Sequence, residues 1–395
     1  MYIEINKVGK INKAQINING ITIITGENDT GKSTVGKLLF SMIKADNIAR
    51  EKMIDFQYYK ISGLFDKLKQ YLVLHDPYEV KKIEFIEKND FFKIKGKNSK
   101  FEKLKNLVNK NFEKINKDAE IKKIFEEMFL WLKYDKSFLE RRKIEFQNQI
   151  TYNFGGISQI ANADSYVKLI NKDLELYRIK FEPLIFFDKL PIVENRRVRP
   201  FLNAVFIETP LIMNLLKFFL LEKDKVDFTY PFVLRDLARE LIKSGNFNEE
   251  LVREINGIIK GDFIVENEQI IFRREKDFNL LNTATGIKSF GILLLLLRNN
   301  VLRNFATLLI IDEPEIHLHP KWQVKYVKIL FEIYKKLKIR ILITTHSPYI
   351  LDAFEKLKKT ENIDFYLLKD GNAELKNNDL KEIYDILGEP FWNTI

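Results

Sequence analysis

Residues 26 to 33 run Gly26-Glu27-Asn28-Asp29-Thr30-Gly31-Lys32-Ser33, a complete G-x-x-x-x-G-K-[ST] pattern, between two stretches of opposite character. Before it, Ile21 to Thr25 is a β-branched run that predicts a buried strand. After it, Thr34 to Ala49 reads as a helix. A strand feeding a glycine loop that opens a helix is the context in which this pattern cradles phosphate. The glycines let backbone N–H groups curl around phosphate oxygens, and the helix N-terminus adds partial positive charge. Lys32 is then expected to reach the β and γ phosphates, and Ser33 to hold Mg²⁺.

The rest of the chain sets the surroundings. At 395 residues and 46% hydrophobic content it has room for a large core. It holds no cysteine, which excludes a disulfide framework and thiolate metal sites. The start, Met1 to Lys10, lacks a signal-peptide layout. The longest purely apolar run, Ile292 to Leu297, is far short of the roughly 20 residues of a membrane span. A cytoplasmic protein without a membrane partner is the expectation. The net charge of +10 is concentrated. Between Lys93 and Lys123 stand eleven lysines and four acidic residues. A lysine-rich helix face of this kind neutralises phosphates, so nucleic acid is a candidate partner there, although no aromatic stacking platform accompanies it.

Residues 2 to 25 read as two strands, an alternating one and an apolar one. From about Arg50 to Arg142 the pattern is helical and highly charged, with Phe101, Leu104, Val108, Phe112, Ile115 and Ala119 on one stripe. From Lys143 to Pro210 the texture becomes strand-like, in 144–154, 175–182, 183–188 and 203–209, punctuated by Gly155-Gly156 and several prolines. Helical patterns return over Leu211 to Ile259, and Gly261 to Arg274 reads as a hairpin.

A second half of the phosphate site lies far along the chain. Leu308 to Ile311 is an apolar strand ending in Asp312-Glu313. Ligands of parallel sheets sit beyond the carboxyl ends of strands, which places Asp312 to hold Mg²⁺ and Glu313 to act as general base on the attacking water. A helix follows, with Trp322, Tyr326, Leu330, Ile333 and Leu337 on one face, and then a buried strand, Ile339 to Thr345, ending in His346-Ser347-Pro348. A histidine in that position reaches a γ-phosphate. Thr283 to Phe290, a small-residue turn opening an apolar helix, is a further anion-binding arrangement.

In this order, phosphate loop, small-residue turn, Asp-Glu strand and strand-histidine resemble an ABC-type ATPase. The start of the chain, Ile311-Asp312-Glu313-Pro314-Glu315-Ile316-His317-Leu318-His319-Pro320 and Thr344-Thr345-His346-Ser347-Pro348 resemble its SMC/RecF/OLD branch rather than transporter subunits. The resemblance implies an α/β fold: an ATPase head with a mixed β-sheet, a phosphate-loop core and a helical insertion. The core is expected over 1–49 and 260–395, the insertion over 50–142, and a mixed strand and helix segment packed on the core over 143–259. It implies ATP and Mg²⁺ as cofactors. The expected nucleotide-binding residues are Gly26, Glu27, Asn28, Asp29, Thr30, Gly31, Lys32, Ser33 and Thr34, with Thr285 and Gly286 matching the signature turn that touches the γ-phosphate of the opposite subunit. Ser33 and Asp312 are the implied metal ligands, and Glu313, His346 and Lys32 the implied catalytic groups. One copy of each motif per chain implies a homodimer or higher homo-oligomer.

The sequence departs from the family pattern in its signature turn, Ala284-Thr285-Gly286-Ile287-Lys288, where Lys288 either adds a cation near phosphate or faces solvent. Gln159 is the candidate for the family's glutamine loop. His317 and His319 form too small a set for zinc, and the basic cluster Glu194 to Arg199 reads as a solvated loop. Only 49 residues follow His346, so a nuclease domain of the OLD type has no room there. That likeness points to the stand-alone ATPase subunits of anti-phage systems of the Septu and PARIS types, with a separate effector, a nuclease or toxin. A RecF-like repair ATPase and an ATP-binding scaffold without turnover are the alternatives.

Overall fold

The computed structural model describes residues 1–75, 119, 122–124, 126–127, 136–172, 174–181, 185–187, 201–221, 231–243, 245, 249–266, 269–303, 306–358 and 361–392. The basic cluster 194–199 and, apart from Ala119, Lys122 and Lys123, the lysine-rich segment 93–123 with its apolar stripe lie outside them. The chain divides into two compact units, one of Met1–Asn47 with Glu145–Ile395, the other of Ile48–Ile144.

The first unit is α/β and, among the described residues, is organised by one mixed sheet of eleven strands. In chain order these are β1 (Tyr2–Val8), β2 (Ile11–Asn17), β3 (Ile21–Thr25), β4 (Ala161–Asn171), β5 (Leu174–Phe181), β6 (Ile185–Phe187), β7 (Asn203–Ile207), β11 (Thr307–Asp312), β12 (Arg340–Thr344), β13 (Ile363–Lys369) and β14 (Asn372–Leu375). A small antiparallel sheet holds β8 (Asp262–Glu266), β9 (Gln269–Arg273) and β10 (Asp277–Asn279). The large sheet runs β6-β5-β4-β1-β2-β14-β13-β3-β12-β11-β7. Its β13-β3-β12-β11-β7 half is parallel, and β1, β2, β4, β5 and β6 pair antiparallel. Every residue of β3 and β11 is buried, as expected for parallel strands covered on both faces.

The helices are α1 (Lys32–His75), α2 (Lys136–Phe154), α3 (Leu216–Leu221), α4 (Phe232–Leu241), α5 (Glu249–Ile259), α6 (Thr285–Arg298), α7 (Pro320–Leu337), α8 (Pro348–Lys358) and α9 (Lys381–Trp392). Helix α6 is buried from Lys288 to Leu297, so its all-apolar middle is core and not a one-sided surface stripe. Among the described residues no helix is long and apolar enough to cross a membrane. In the second unit, Leu64 and Leu68 are buried one helical turn apart on α1.

Two expectations are corrected. Residues 2 to 25 form three strands, because Gly9-Lys10 turns β1 back antiparallel onto β2. Residues 144–154 are helical rather than extended. The buried positions there are Glu145, Phe146, Gln149, Ile150 and Asn153, a period of three to four filled partly by polar residues, so hydrophobicity alone hides the helix. Strands β4, β13 and β14, which complete the sheet, go unread in the sequence.

Candidate functional site

The site is assembled at the carboxyl ends of three adjacent parallel strands, with β12 lying between β3 and β11. Thr344 pairs in register with both Asp312 and Ile24, so the ends of the three strands, Thr25, Thr344 and Asp312, come level. Side chains just past these ends converge as a geometric consequence of that register.

Past β3, Gly26 has φ 146° and Gly31 φ 99°, values L side chains rarely adopt. At Gly26 a Cβ would also sit 2.3 Å from the Leu368 carbonyl oxygen. Asp29 takes a left-handed turn, φ 58°, and its carboxylate pairs with Lys10 at 2.9 Å. Among the described residues none accepts from the N–H groups of Asn28 to Ser33. Lys32 is buried, and its Nζ donates to the Glu27 carbonyl at 2.6 Å. Burial lowers its pKa, against the nearby carboxylates of Glu313, Asp312 and Glu315, which favour the charge. Thr30 Oγ1 also donates to Glu27 O, at 2.9 Å, and Thr34 N–H donates to Gly31 O at 3.1 Å.

Past β11, Asp312 Oδ1 accepts from Ser33 Oγ at 3.0 Å and from Thr344 Oγ1. Glu313 is left-handed, φ 46°, ψ 59°. A non-glycine residue held there is strained by roughly 1–3 kcal/mol and needs surroundings that fix it. Its N–H donates to the Thr344 carbonyl at 3.1 Å, and its Oε1 lies 3.1 Å from His346 Nε2. Burial and the Lys32 charge depress the His346 pKa, which favours the neutral ring, and a neutral ring facing a carboxylate oxygen is best served by the tautomer with its proton on Nε2. The short turn Pro314–His317 then carries Glu315 back to β12. Its Oε1 accepts from His346 N–H at 2.5 Å and Thr345 Oγ1 at 2.9 Å.

The structure therefore brings Lys32, Ser33, Asp312, Glu313 and His346 together. Thr285 and Gly286 open α6, and Gly286 lies against the backbone of His317, where a Cβ would sit 3.0 Å from the carbonyl oxygen. Among the described residues, no hydrogen bond or ion pair joins them to the phosphate loop, Asp312, Glu313 or His346 of the same chain. Lys288 does not face solvent: it is buried and donates to Asn214 Oδ1 at 2.9 Å. Gln159 is exposed, one residue before Ile160, whose carbonyl accepts from Gly9 N–H. His319 Nδ1 accepts from Lys321 N–H at the start of α7. Sequence reasoning missed Glu315, Thr344 and Glu208, whose Oε1 pairs with Lys37 at 2.7 Å. Glu315 had a signal, since it follows Asp312-Glu313-Pro314. A small pocket of about 50 Å³ beside the site is lined by Glu208, Thr209, Ser289, Asp312, Glu313 and His317 among others.

Residues 95–352 match a family described as "AAA domain, putative AbiEii toxin, Type IV TA system", more than half of the chain. The chain belongs to this family of AAA domains. The matched stretch of this AAA domain holds Thr285, Gly286, Asp312, Glu313 and His346, and the loop Gly26–Ser33 precedes it. The chain is 39% identical to the Septu protein PtuA of Bacillus thuringiensis over 51 residues, 13% of this chain and 12% of that one. It thus spans about an eighth of that relative's length. Two solved structures are similar in outline. The SMC head domain of Thermotoga maritima has a TM-score of 0.38 at 11% identity over 95% of this chain and 97% of its own. A dimeric ATP-binding cassette in a post-hydrolysis state bound to ADP and Pi has a TM-score of 0.33 at 10% identity over 94% and 96%.

Proposed function

We propose that this AAA domain is a Mg²⁺-dependent ATP hydrolase, working as a dimeric switch that governs a separate effector protein in anti-phage defence. The observation carrying the hydrolase reading is the 3.0 Å hydrogen bond from Ser33 Oγ to Asp312 Oδ1, which joins positions 279 apart in the chain. It supports one site made of the phosphate loop and the Asp-Glu strand end. The residues present fit the ligands. The free N–H groups of Asn28 to Ser33, around glycines that exclude a side chain, make an anion cradle. A hydroxyl and a carboxylate are the hard oxygen donors that Mg²⁺ takes.

In this reading the loop N–H groups bind phosphate oxygens. Lys32 exchanges the Glu27 carbonyl for the β and γ phosphates. Mg²⁺, when bound, neutralises phosphate charge, with Ser33 and Asp312 as its protein ligands. Glu313 takes a proton from the attacking water onto a carboxylate oxygen, and His346 Nε2–H holds that carboxylate in place. Thr285 and Gly286 act on the nucleotide of a second copy. Residues 1–49 and 260–395 form the nucleotide-binding core under this assignment, with 50–142 as the insertion and 143–259 packed on the core. The defence role rests on the sequence resemblance and on the short match to the Septu protein PtuA.

The test is turnover of Mg-ATP by the wild type and by Glu313→Gln, with mass measured by light scattering. The wild type is expected to hydrolyse ATP. The variant is expected to bind ATP as tightly, lose about 100-fold or more in rate, and accumulate as a dimer. A wild type without turnover ends the hydrolase reading, and a variant that stays monomeric on ATP ends the dimer. Expression beside neighbouring genes tests the effector, which is expected to co-purify.

A further inference from the structure

Two carboxylates grip His346 from different sides. Glu313 Oε1 faces the ring at Nε2, 3.1 Å away. Glu315 Oε1 holds the main chain, accepting from the His346 N–H at 2.5 Å, and takes the Thr345 hydroxyl at 2.9 Å. The second grip is separate from the first, because Glu315 touches neither the ring nor Glu313 by any hydrogen bond. It links the turn after β11 to the turn after β12, the two segments whose side chains meet in the site.

The far side of the β12 turn is held by another element. Ser347 Oγ donates to Gln323 Oε1 at 2.5 Å, and Gln323 Nε2 donates to the Leu318 carbonyl at 2.9 Å. Those bonds fix Ser347 on α7 but leave the N–H of His346 to Glu315 alone. The carboxyl of Glu315 is also in an unfavourable setting. Its Oε2 is buried without a hydrogen-bond partner, and no cationic side chain pairs with it among the described residues. Burial raises its pKa. A buried acceptor left unsatisfied is destabilising, so the group is not explained as a stabilising ion pair.

We infer that Glu315 is a positioning residue, which fixes the Thr345-His346 turn so that His346 Nε2 stays against the Glu313 carboxylate. This rests on the proposed hydrolase reading for its kinetic consequence, but its structural consequence does not. Glutamine offers the same Oε1 acceptor to both donors. Alanine offers none, and releases the turn while leaving the phosphate loop and the Asp312 bonds untouched.

The experiment compares Glu315→Gln and Glu315→Ala with the wild type in two measurements. The first is steady-state Mg-ATP hydrolysis with nucleotide affinity measured separately. Glu315→Gln is expected within about threefold of the wild-type kcat. Glu315→Ala is expected to lose about 100-fold, the scale of a displaced catalytic group, with nucleotide affinity within about twofold in both. The second is the long-range ¹H–¹⁵N spectrum of the four histidines, with His346 assigned by its loss in His346→Asn. The His346 ring is expected as a single Nε2–H tautomer in the wild type and Glu315→Gln, and as an averaged mixture in Glu315→Ala. Wild-type kcat and tautomer in Glu315→Ala overturn the inference. So does a Glu315→Gln variant as impaired as Glu315→Ala, which makes the charge and not the acceptor decisive. Should the wild type hydrolyse nothing, the hydrolase reading falls, and the tautomer spectra still decide what Glu315 does.

Discussion

Nε2 of His346 lies 3.1 Å from Oε1 of Glu313, and burial together with the charge of Lys32 lowers the histidine's pKa from its ordinary 6.5. A base whose folded pKa is depressed binds fewer protons folded than unfolded. Its favourable contribution is complete above the unfolded value and is lost as pH falls through about 6.5 toward the folded pKa. The wild type is therefore expected to lose more Tm between pH 7.5 and pH 5.5 than His346→Asn, which has no proton to gain. Equal losses in the two proteins refute a half-buried neutral imidazole. Turnover of the folded protein is expected to hold through that window and to fall only at lower pH, where the folded ring takes up its own proton and gains a second charge beside Lys32.

Ser33 Oγ donates to Asp312 Oδ1, so Ser33→Ala removes one proposed metal ligand and one of the two hydroxyls orienting the other. Thr344 still holds Asp312. The expected result is a rise of about tenfold in the Mg²⁺ concentration for half-maximal hydrolysis, the lower end for losing one metal-site contact. Binding of a fluorescent nucleotide in EDTA is expected to be unchanged, because the loop N–H groups and Lys32 remain. A variant that loses binding in EDTA places Ser33 on phosphate and not on the metal.

The sequence carried the individual strand ends well and their neighbourhood poorly. Ile21–Thr25 and the helix after Gly31 are legible because β-branched apolar runs and the glycine loop are local signals. The order of strands in the sheet is not local: β11 precedes β12 in the chain, but β12 lies between β3 and β11. Thr344 becomes a partner of Asp312 only through that cross-strand register, which is why it went unread. Helix α2 was hidden for a different reason. Glu145, Gln149 and Asn153 occupy its buried stripe, and a polarity pattern cannot tell such residues from exposed ones. Strand β4 carries Asn162, Asp164 and Ser165 at its start, where Ser165 Oγ donates to the Lys7 carbonyl, and so lacked an apolar signature there.

Gly291 stands in the middle of the buried helix α6, where a Cβ would lie 2.4 Å from the Phe263 ring. That ring packs on Phe272 with centroids 4.8 Å apart and has little space to retreat. Alanine improves helix propensity by about 1 kcal/mol, while overpacking a tight core costs about 1–3 kcal/mol. Crowding is expected to win, so Gly291→Ala lowers the urea midpoint, and Phe263→Leu in the same chain restores part of it. A raised midpoint in the single variant means the ring moves aside freely.

Lys44 is buried on α1, with its Nζ 2.7 Å from Asp236 Oδ2 on α4 and 3.0 Å from Asn203 Oδ1 on β7. It ties the helix of the phosphate loop to the edge strand of the parallel half. Burial raises the Asp236 pKa and Lys44 opposes it. Lys44→Met leaves the carboxylate buried without its cation, an expected loss of about 3–5 kcal/mol at neutral pH. The aspartate then escapes by taking up a proton, so its folded pKa exceeds the unfolded one. Stability is retained at acid pH and lost as pH rises through that folded value. Lys44→Met is accordingly expected to trail the wild type by less at pH 5 than at pH 8, and Lys44→Met with Asp236→Asn to lose that pH dependence. A deficit independent of pH in the single variant means that the lysine contributes packing of its methylene stem and not charge.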